Sequence, residues 1–170
     1  MEAERFFKQF QKSFNDSITL SLQPYNINKL AVQSRDRMIK RIRHGFSVKT
    51  EGGTETFFPK LKQSTIERRD RLHREGKLSK NTMTSLSNVT RSGELINETS
   101  LAPFVSGEGK GGIHLTGSRR DGKRNGYVAE QLRKLGFIFM NLSSKEVEGL
   151  VLDYAKILKI ELTRFLNKPF

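Results

Sequence analysis

The sequence predicts an α+β fold in which helices pack against an antiparallel β-sheet with long hairpin loops, closed by a long C-terminal helix. Three observations carry that expectation. Apolar residues recur at helical spacing within the first 44 positions, short apolar runs bounded by glycines follow position 93, and an unbroken helical pattern fills 143–165.

Phe6, Phe10, Phe14 and Ile18 recur every four residues with Lys, Gln, Asn and Asp between them, the stripe of an amphipathic helix that Pro24 ends. Residues 1–24 therefore read as an N-terminal amphipathic segment, and 25–170 as a single α+β domain. A second helical pattern starts near Asn28, a suitable cap. It sets Leu30, Ala31, Met38, Ile39 and Ile42 against Arg35, Arg37, Lys40, Arg41 and Arg43, and Gly45 follows as its stop. Residues 47–62 read as an extended loop, because Gly52-Gly53 disfavours helix and Pro59 pushes Phe58 out of the helical region. Ser64 and Glu67 spell a capping box for a helix that runs through Arg74 and stops at Gly76.

Residues 78–93, rich in Ser, Thr and Asn, read as a weaker helical or turn region. "ELINETSLAPFV", "GIHLTG" and "GFIFMNL" read as antiparallel strands separated by the loops "SGEGKGG" and "SRRDGKRNG". Residues 127–135 fit a strand or a helical turn equally. Ser143 and Glu146 form a second capping box, and Val147, Leu150, Tyr154, Ile157, Leu162 and Phe165 trace a last helix of about six turns.

A chain of 170 residues has room for one sizeable core. With 35% hydrophobic and 29% charged residues it has the composition of a folded domain. The absence of cysteine excludes disulfides, thiolate metal sites and cysteine nucleophiles, and suits a reducing cytoplasm. No run of 18 apolar residues and no signal-peptide pattern occurs, so a soluble protein without a membrane partner is expected.

Net charge is +13, and fifteen Lys/Arg face six Asp/Glu between Lys29 and Lys80. Such a field points to a polyanionic neighbour, or to nothing beyond solubility. The cations of the second helix, Arg35, Arg37, Lys40, Arg41 and Arg43, are the candidates to face DNA. Phe57 and Phe58, flanked by Lys60 and Lys62, either stack on bases or anchor their loop to the core. A Phe-Phe-Pro run leading into a capped helix reads as the anchor.

Gly107, Gly109 and Gly112 satisfy G-x-G-x-x-G, but "IHLTG" after them reads as strand where a dinucleotide site needs a helix. Gly111 stands where a phosphate loop needs Ser or Thr. His44, His73 and His114 lack companions at ligand spacing. Glu94 and Glu98 are an ordinary pair, and no base flanks Ser92. No catalytic constellation, metal site or cofactor is expected.

Four segments in order, "IKRIRHGF", "EGGTETFFPKLKQSTIERR", "RSGELINETS" and "LGFIFMNLSSKEVEGLV", resemble the landmarks of the tailed-bacteriophage virion morphogenesis proteins, the tail-completion and neck group. Phe58, Pro59, Leu61, Ser64 and Thr65 match that group's "P-x-G-x-x-W-x-P-L-x-x-S-T" segment, with Phe where the family often has Trp. Ser92, Gly93, Leu95 and Thr99 or Ser100 match its "T-G-x-L-x-x-S" lead-in to a hairpin. Phe137, Phe139, Leu142 and Ser143 match its strand before the last helix, with Gly136 and Asn141 replacing an arginine and a glycine. The similarity spans about residues 35 to 165.

The resemblance implies a non-enzymatic protein of the head–tail junction, located in the virion neck or tail end and in the host cytoplasm during assembly. It implies a closed homo-oligomeric ring, of about six or twelve copies. Its partners would be portal or head-completion proteins, tail-terminator or tail-tube proteins, and genomic DNA passing non-specifically. Phe6, Phe10, Phe14, Lys110, Arg119 and Arg120 are the candidates for contacts between subunits. The alternative is a basic nucleic-acid-binding accessory protein, for which the charge alone argues.

Overall fold

A computed structural model describes residues 2–48, 53–58, 60–78, 95–96, 98–106, 109–119, 122–135 and 138–167. Among them the fold is α+β, with five helices and two antiparallel two-stranded hairpins. Two of the three expected strand segments contribute to one ladder, and the other ladder arises within the segment expected as an extended loop. The weak region expected at 78–93 lies outside the described residues from 79 onward, as do Pro59, Gly107 and Phe137.

Helix α1 (Glu2–Ser21) is joined by Leu22 and Gln23 to α2 (Pro24–Arg43). Pro24 sits in the first turn of α2, so it opens that helix as well as closing α1. A proline tolerates this position because its missing N–H would have no helical acceptor and its φ is already helical. The start expected near Asn28 is therefore corrected to Pro24, and Gln23 caps without a side-chain bond. Ile27, Leu30, Ala31, Ser34, Met38 and Ile42 bury one face of α2. Gly45, at φ 85°, ends it as expected.

Two short paired strands stand within the segment expected as an extended loop. Strand β1 (Phe46–Val48) pairs with β2 (Glu55–Phe57), and the Phe46 and Phe57 rings stack at 4.5 Å. Strands of three residues are too short to display alternation. Phe58 then turns inward, its amide bonded to the Gly45 carbonyl at 2.8 Å.

Helix α3 (Gln63–Arg74) runs to the expected C-terminus, with Gly76 at φ 67°. Its capping box does not form. The helix begins at Gln63, with Lys62 at the cap position and no side-chain cap bond, and the Glu67 carboxylate instead accepts from the Gln63 side chain at 3.1 Å.

Strands β3 (Leu101–Ser106) and β4 (Lys110–Leu115) form the second hairpin, in a register that sets Leu101 opposite Leu115. It lies against α2 so closely that a Cβ on Gly111 would stand 2.6 Å from Ile27 Cγ2. The segment 127–135, ambiguous in sequence, belongs to helix α4 (Asn125–Lys134), which starts two residues earlier within the expected loop, and buried Asn125 donates to the Thr116 carbonyl at 2.7 Å.

Residues 138–142 do not form the expected third strand. The Val48 amide bonds to the Ile138 carbonyl at 3.0 Å, and a buried arginine takes the carbonyls of Phe139 and Asn141. Apolar alternation implies a ladder here, and side-chain donors take the place of that ladder.

Helix α5 (Ser144–Leu166) begins with the expected box. The Ser143 amide donates to Glu146 Oε2 at 2.7 Å, and the Glu146 amide to Ser143 Oγ at 3.2 Å. Helix α1 lies on α5, where Ser17 and Ser21 are fully buried and Ser21 Oγ meets the Tyr154 hydroxyl at 3.0 Å.

The core gathers Met38, Ile39 and Ile42 of α2 with Phe58, Leu101 and Phe139, among others. Phe58 is 4% exposed, so the loop anchor expected from sequence is what forms. Phe58→Ala should lower stability by about 3–5 kcal/mol in urea unfolding, the cost of removing a large buried ring. An unchanged unfolding midpoint would contradict that anchoring.

Candidate functional site

The five α2 cations expected to form a DNA-facing track have different environments. Lys40 is exposed and Arg43 half-buried. Arg35 is largely buried and paired with the neighbouring Asp36 at 2.8 Å. Arg37 crosses to α5 and pairs with Asp153. Arg41 is the correction: its side chain is 4% exposed, so it does not reach DNA. Its Nε donates to Glu146 Oε1 at 2.9 Å, Nη1 to the Phe46 carbonyl at 3.1 Å, and Nη2 to the carbonyls of Phe139 at 2.9 Å and Asn141 at 2.8 Å.

The helical period explains this arrangement. Positions 34, 38, 41 and 42 share the buried face of α2, so Arg41 falls inside the apolar stripe. An arginine there must find acceptors or remain a buried, uncompensated charge. The irregular 138–142 segment supplies two, which is why its backbone needs no ladder partner.

Arg37 and Asp153 form a second clamp, with Lys156 also reaching Asp153 at 3.4 Å. The hydrogen bond from Arg37, with a smaller contribution from Lys156, holds the Asp153 carboxyl below its ordinary range despite partial burial. Gly149 makes room, since a Cβ there would stand 3.0 Å from Arg37 Cζ.

A further row of solvent-facing cations lies on α3. Arg68, Arg71 and Arg74 are exposed along α3, and Lys60 and Lys62 are exposed ahead of it. Arg69 between them is buried. Neighbours of opposite sign mask this row in the sequence, and its three-residue spacing is the signal that marks it.

The residues expected at subunit contacts also separate. Phe6, Phe10 and Phe14 are exposed on α1, together with Phe7. Lys110 is exposed at the start of β4, Arg119 is half-buried in the turn closed by the Arg119–Lys123 amide bond, and Arg120 lies outside the described residues. Of the two rings at the head of the basic segment, Phe58 is in the core and Phe57 is 71% exposed, stacked on Phe46.

An apolar cleft of about 390 Å³ opens between α2, the glycine run of β4 and Leu150, with Ile27, Leu30 and Met140 in its walls. No titratable side chain is among its described lining residues, which offer van der Waals contact. His44 Nδ1 is 2.7 Å from the Lys40 carbonyl, and the His114 ring lies 5.3 Å from that of Phe104. Among the described residues no group of three His, Asp or Glu is arranged to hold a metal ion, and no helix is long and apolar enough to cross a membrane. No family model, curated protein or solved structure matches the chain.

The two clamps should respond differently to substitution. Arg41→Met should cost about 3–5 kcal/mol because Glu146 is left buried and uncompensated, whereas adding Glu146→Leu should restore part of that stability; chemical unfolding of both variants checks this. Asp153→Asn should cost about 1.5–3 kcal/mol at neutral pH. A carboxyl whose folded pKa is depressed contributes stability above its unfolded pKa of about 3.9 and loses it as pH falls through the lower folded value. Wild type and Asp153→Asn should therefore converge in stability under strong acid; a gap that persists there would exclude the ionic clamp.

Proposed function

We propose that this chain is a non-enzymatic structural subunit of a tailed-phage head–tail junction, forming a ring that joins the head connector to the tail and lets DNA pass. The observation that carries the reading is the role of the landmark residues in the fold. Phe58, Leu95 and Phe139 belong to one core, Ser100 is buried with its hydroxyl on the Leu95 carbonyl, and Ser143 caps α5. Leu61, Thr65 and Leu142 are half-buried, and Ser64 is exposed. Stretches far apart in sequence thus supply a packing framework. A subunit that works by shape needs such a framework and no reactive centre.

The charge supports the same reading. A channel wall benefits from cations that attract DNA without reading its bases, and backbone contacts alone suffice for that. The row Arg68, Arg71 and Arg74 supplies exposed charge of this kind. It equally favours the second reading, a freestanding nucleic-acid-binding protein.

Immunogold electron microscopy of tailed particles from the source phage should put label at the head–tail junction; particles lacking the chain overturn the first reading. Gel shifts over a salt series separate the second. The junction reading expects binding indifferent to sequence, with a salt slope that each of Arg68→Ala, Arg71→Ala and Arg74→Ala reduces by about one. Sequence-selective binding at physiological salt would favour the accessory protein.

A further inference from the structure

We propose that copies of this chain meet through the layer formed by α1 and α5, with the phenylalanine ridge of α1 as the principal contact. The inference rests on reading the chain as a self-assembling subunit, and it adds where the copies touch.

The distribution of charge is the first argument. Helix α1 carries three Lys/Arg and three Asp/Glu, and α5 carries four of each. Residues 22–143 carry twenty-three Lys/Arg against eleven Asp/Glu, so nearly all of the +13 lies outside this layer. Two identical basic bodies repel wherever their charged faces come within a screening length, about 10 Å at 0.1 M salt. A contact between the neutral layers keeps those faces apart. The α1 ridge of one copy thereby meets the exposed apolar face of α5 on the next, the heterologous contact that a closed ring requires.

The second argument is apolar exposure on the same layer. Phe6, Phe7, Phe10 and Phe14 on α1, with Val151 and Leu152 on α5, are each 40–69% exposed. A row of this length is more than scattered surface apolarity and marks an interaction site. The ridge is also ordered in advance. Phe6 stacks on Phe10 and Phe10 on Phe14, each pair at 6.5 Å with rings 19° apart, so docking costs little further side-chain entropy.

Helix α1 meets α5 through Ser17 and Ser21, small residues that permit close approach and leave the larger side chains pointing outward. A lipid surface is the obvious competing occupant. Helices that lie on membranes combine an apolar face with a cationic one that draws them to anionic headgroups, and α1 has no net charge to supply that attraction.

The test is sedimentation velocity of the full chain across a concentration series, between about 0.05 and 0.5 M salt. Wild type should form discrete oligomers that hold or strengthen as salt rises, because screening weakens the repulsion between basic bodies. Phe10→Asp and, independently, Val151→Asp should raise the apparent dissociation constant ~10-fold or more. Tyr127→Asp, at an exposed ring on α4 outside the layer, should leave it unchanged. Thermal melts by circular dichroism confirm that the variants fold, as exposed positions allow.

Wild-type oligomers that persist in both layer variants overturn the proposed contact while leaving self-assembly intact. A wild type that stays monomeric at every concentration overturns it as well. Binding to phosphatidylcholine or phosphatidylserine vesicles by a monomeric wild type, abolished in Phe10→Asp, assigns the ridge to lipid and overturns it too. The particle labelling is independent: oligomers through this layer in a chain missing from virions sink the junction reading alone.

Discussion

Glu146 sits in the first turn of α5 with one carboxylate oxygen on the Ser143 amide and the other on the Arg41 guanidinium. One side chain therefore caps its own helix and pins that helix to α2. The remaining donors of Arg41 hold the carbonyls of Phe46, Phe139 and Asn141, which belong to β1 and to the irregular lead-in to α5. Three pieces of chain are thus fixed around one guanidinium. A buried ion pair of this kind adds less to net stability than its Coulomb attraction suggests, because desolvation opposes it. What it does supply is register, since a displaced α5 would leave both charges in the interior without partners.

The rest of the chain arranges its charge around that node. Arg37 is drawn to α5 and Arg35 is covered, so α2 presents less cationic surface than its sequence suggests. Accessible basic residues lie on α3 and its approach and also at Lys123, Arg124, Arg133 and Lys134 around α4, while α1 and α5 balance their charges internally. A molecule built this way has one side suited to a polyanion and another suited to a neutral apolar neighbour.

The fold was legible where a single local rule decides the backbone. The Ser143–Glu146 box, the glycine stops after α2 and α3, and the helical period of α5 needed only neighbours in sequence. It was less legible where distant partners decide. The run 138–142 alternates like a strand, yet its acceptors are consumed by Arg41, nearly 100 positions earlier. Ser64 and Glu67 had box spacing, but the cap position falls two residues sooner, at Lys62, and the spacing no longer fitted. On the candidate surfaces, charge told which residues were cationic and could not tell which lay inside. Arg41 differs from Arg43 only by its angle around α2. Nothing in the sequence marks Ser17 and Ser21 as buried, because small size at a helix contact leaves no trace in hydropathy.

Gly111 gives the glycine run in the second hairpin a different meaning from the one its spelling suggests. Any side chain there would strike Ile27 and approach the Phe104 carbonyl, whereas Gly126 has open space around its missing Cβ. A Cβ on Gly112 would meet the Phe104 ring at 2.9 Å, and Gly109 holds φ 71°, so selection acting on this hairpin would be severe at all three letters. Resemblances between short glycine-rich strings would then record crowding between neighbours, with no shared chemistry behind them.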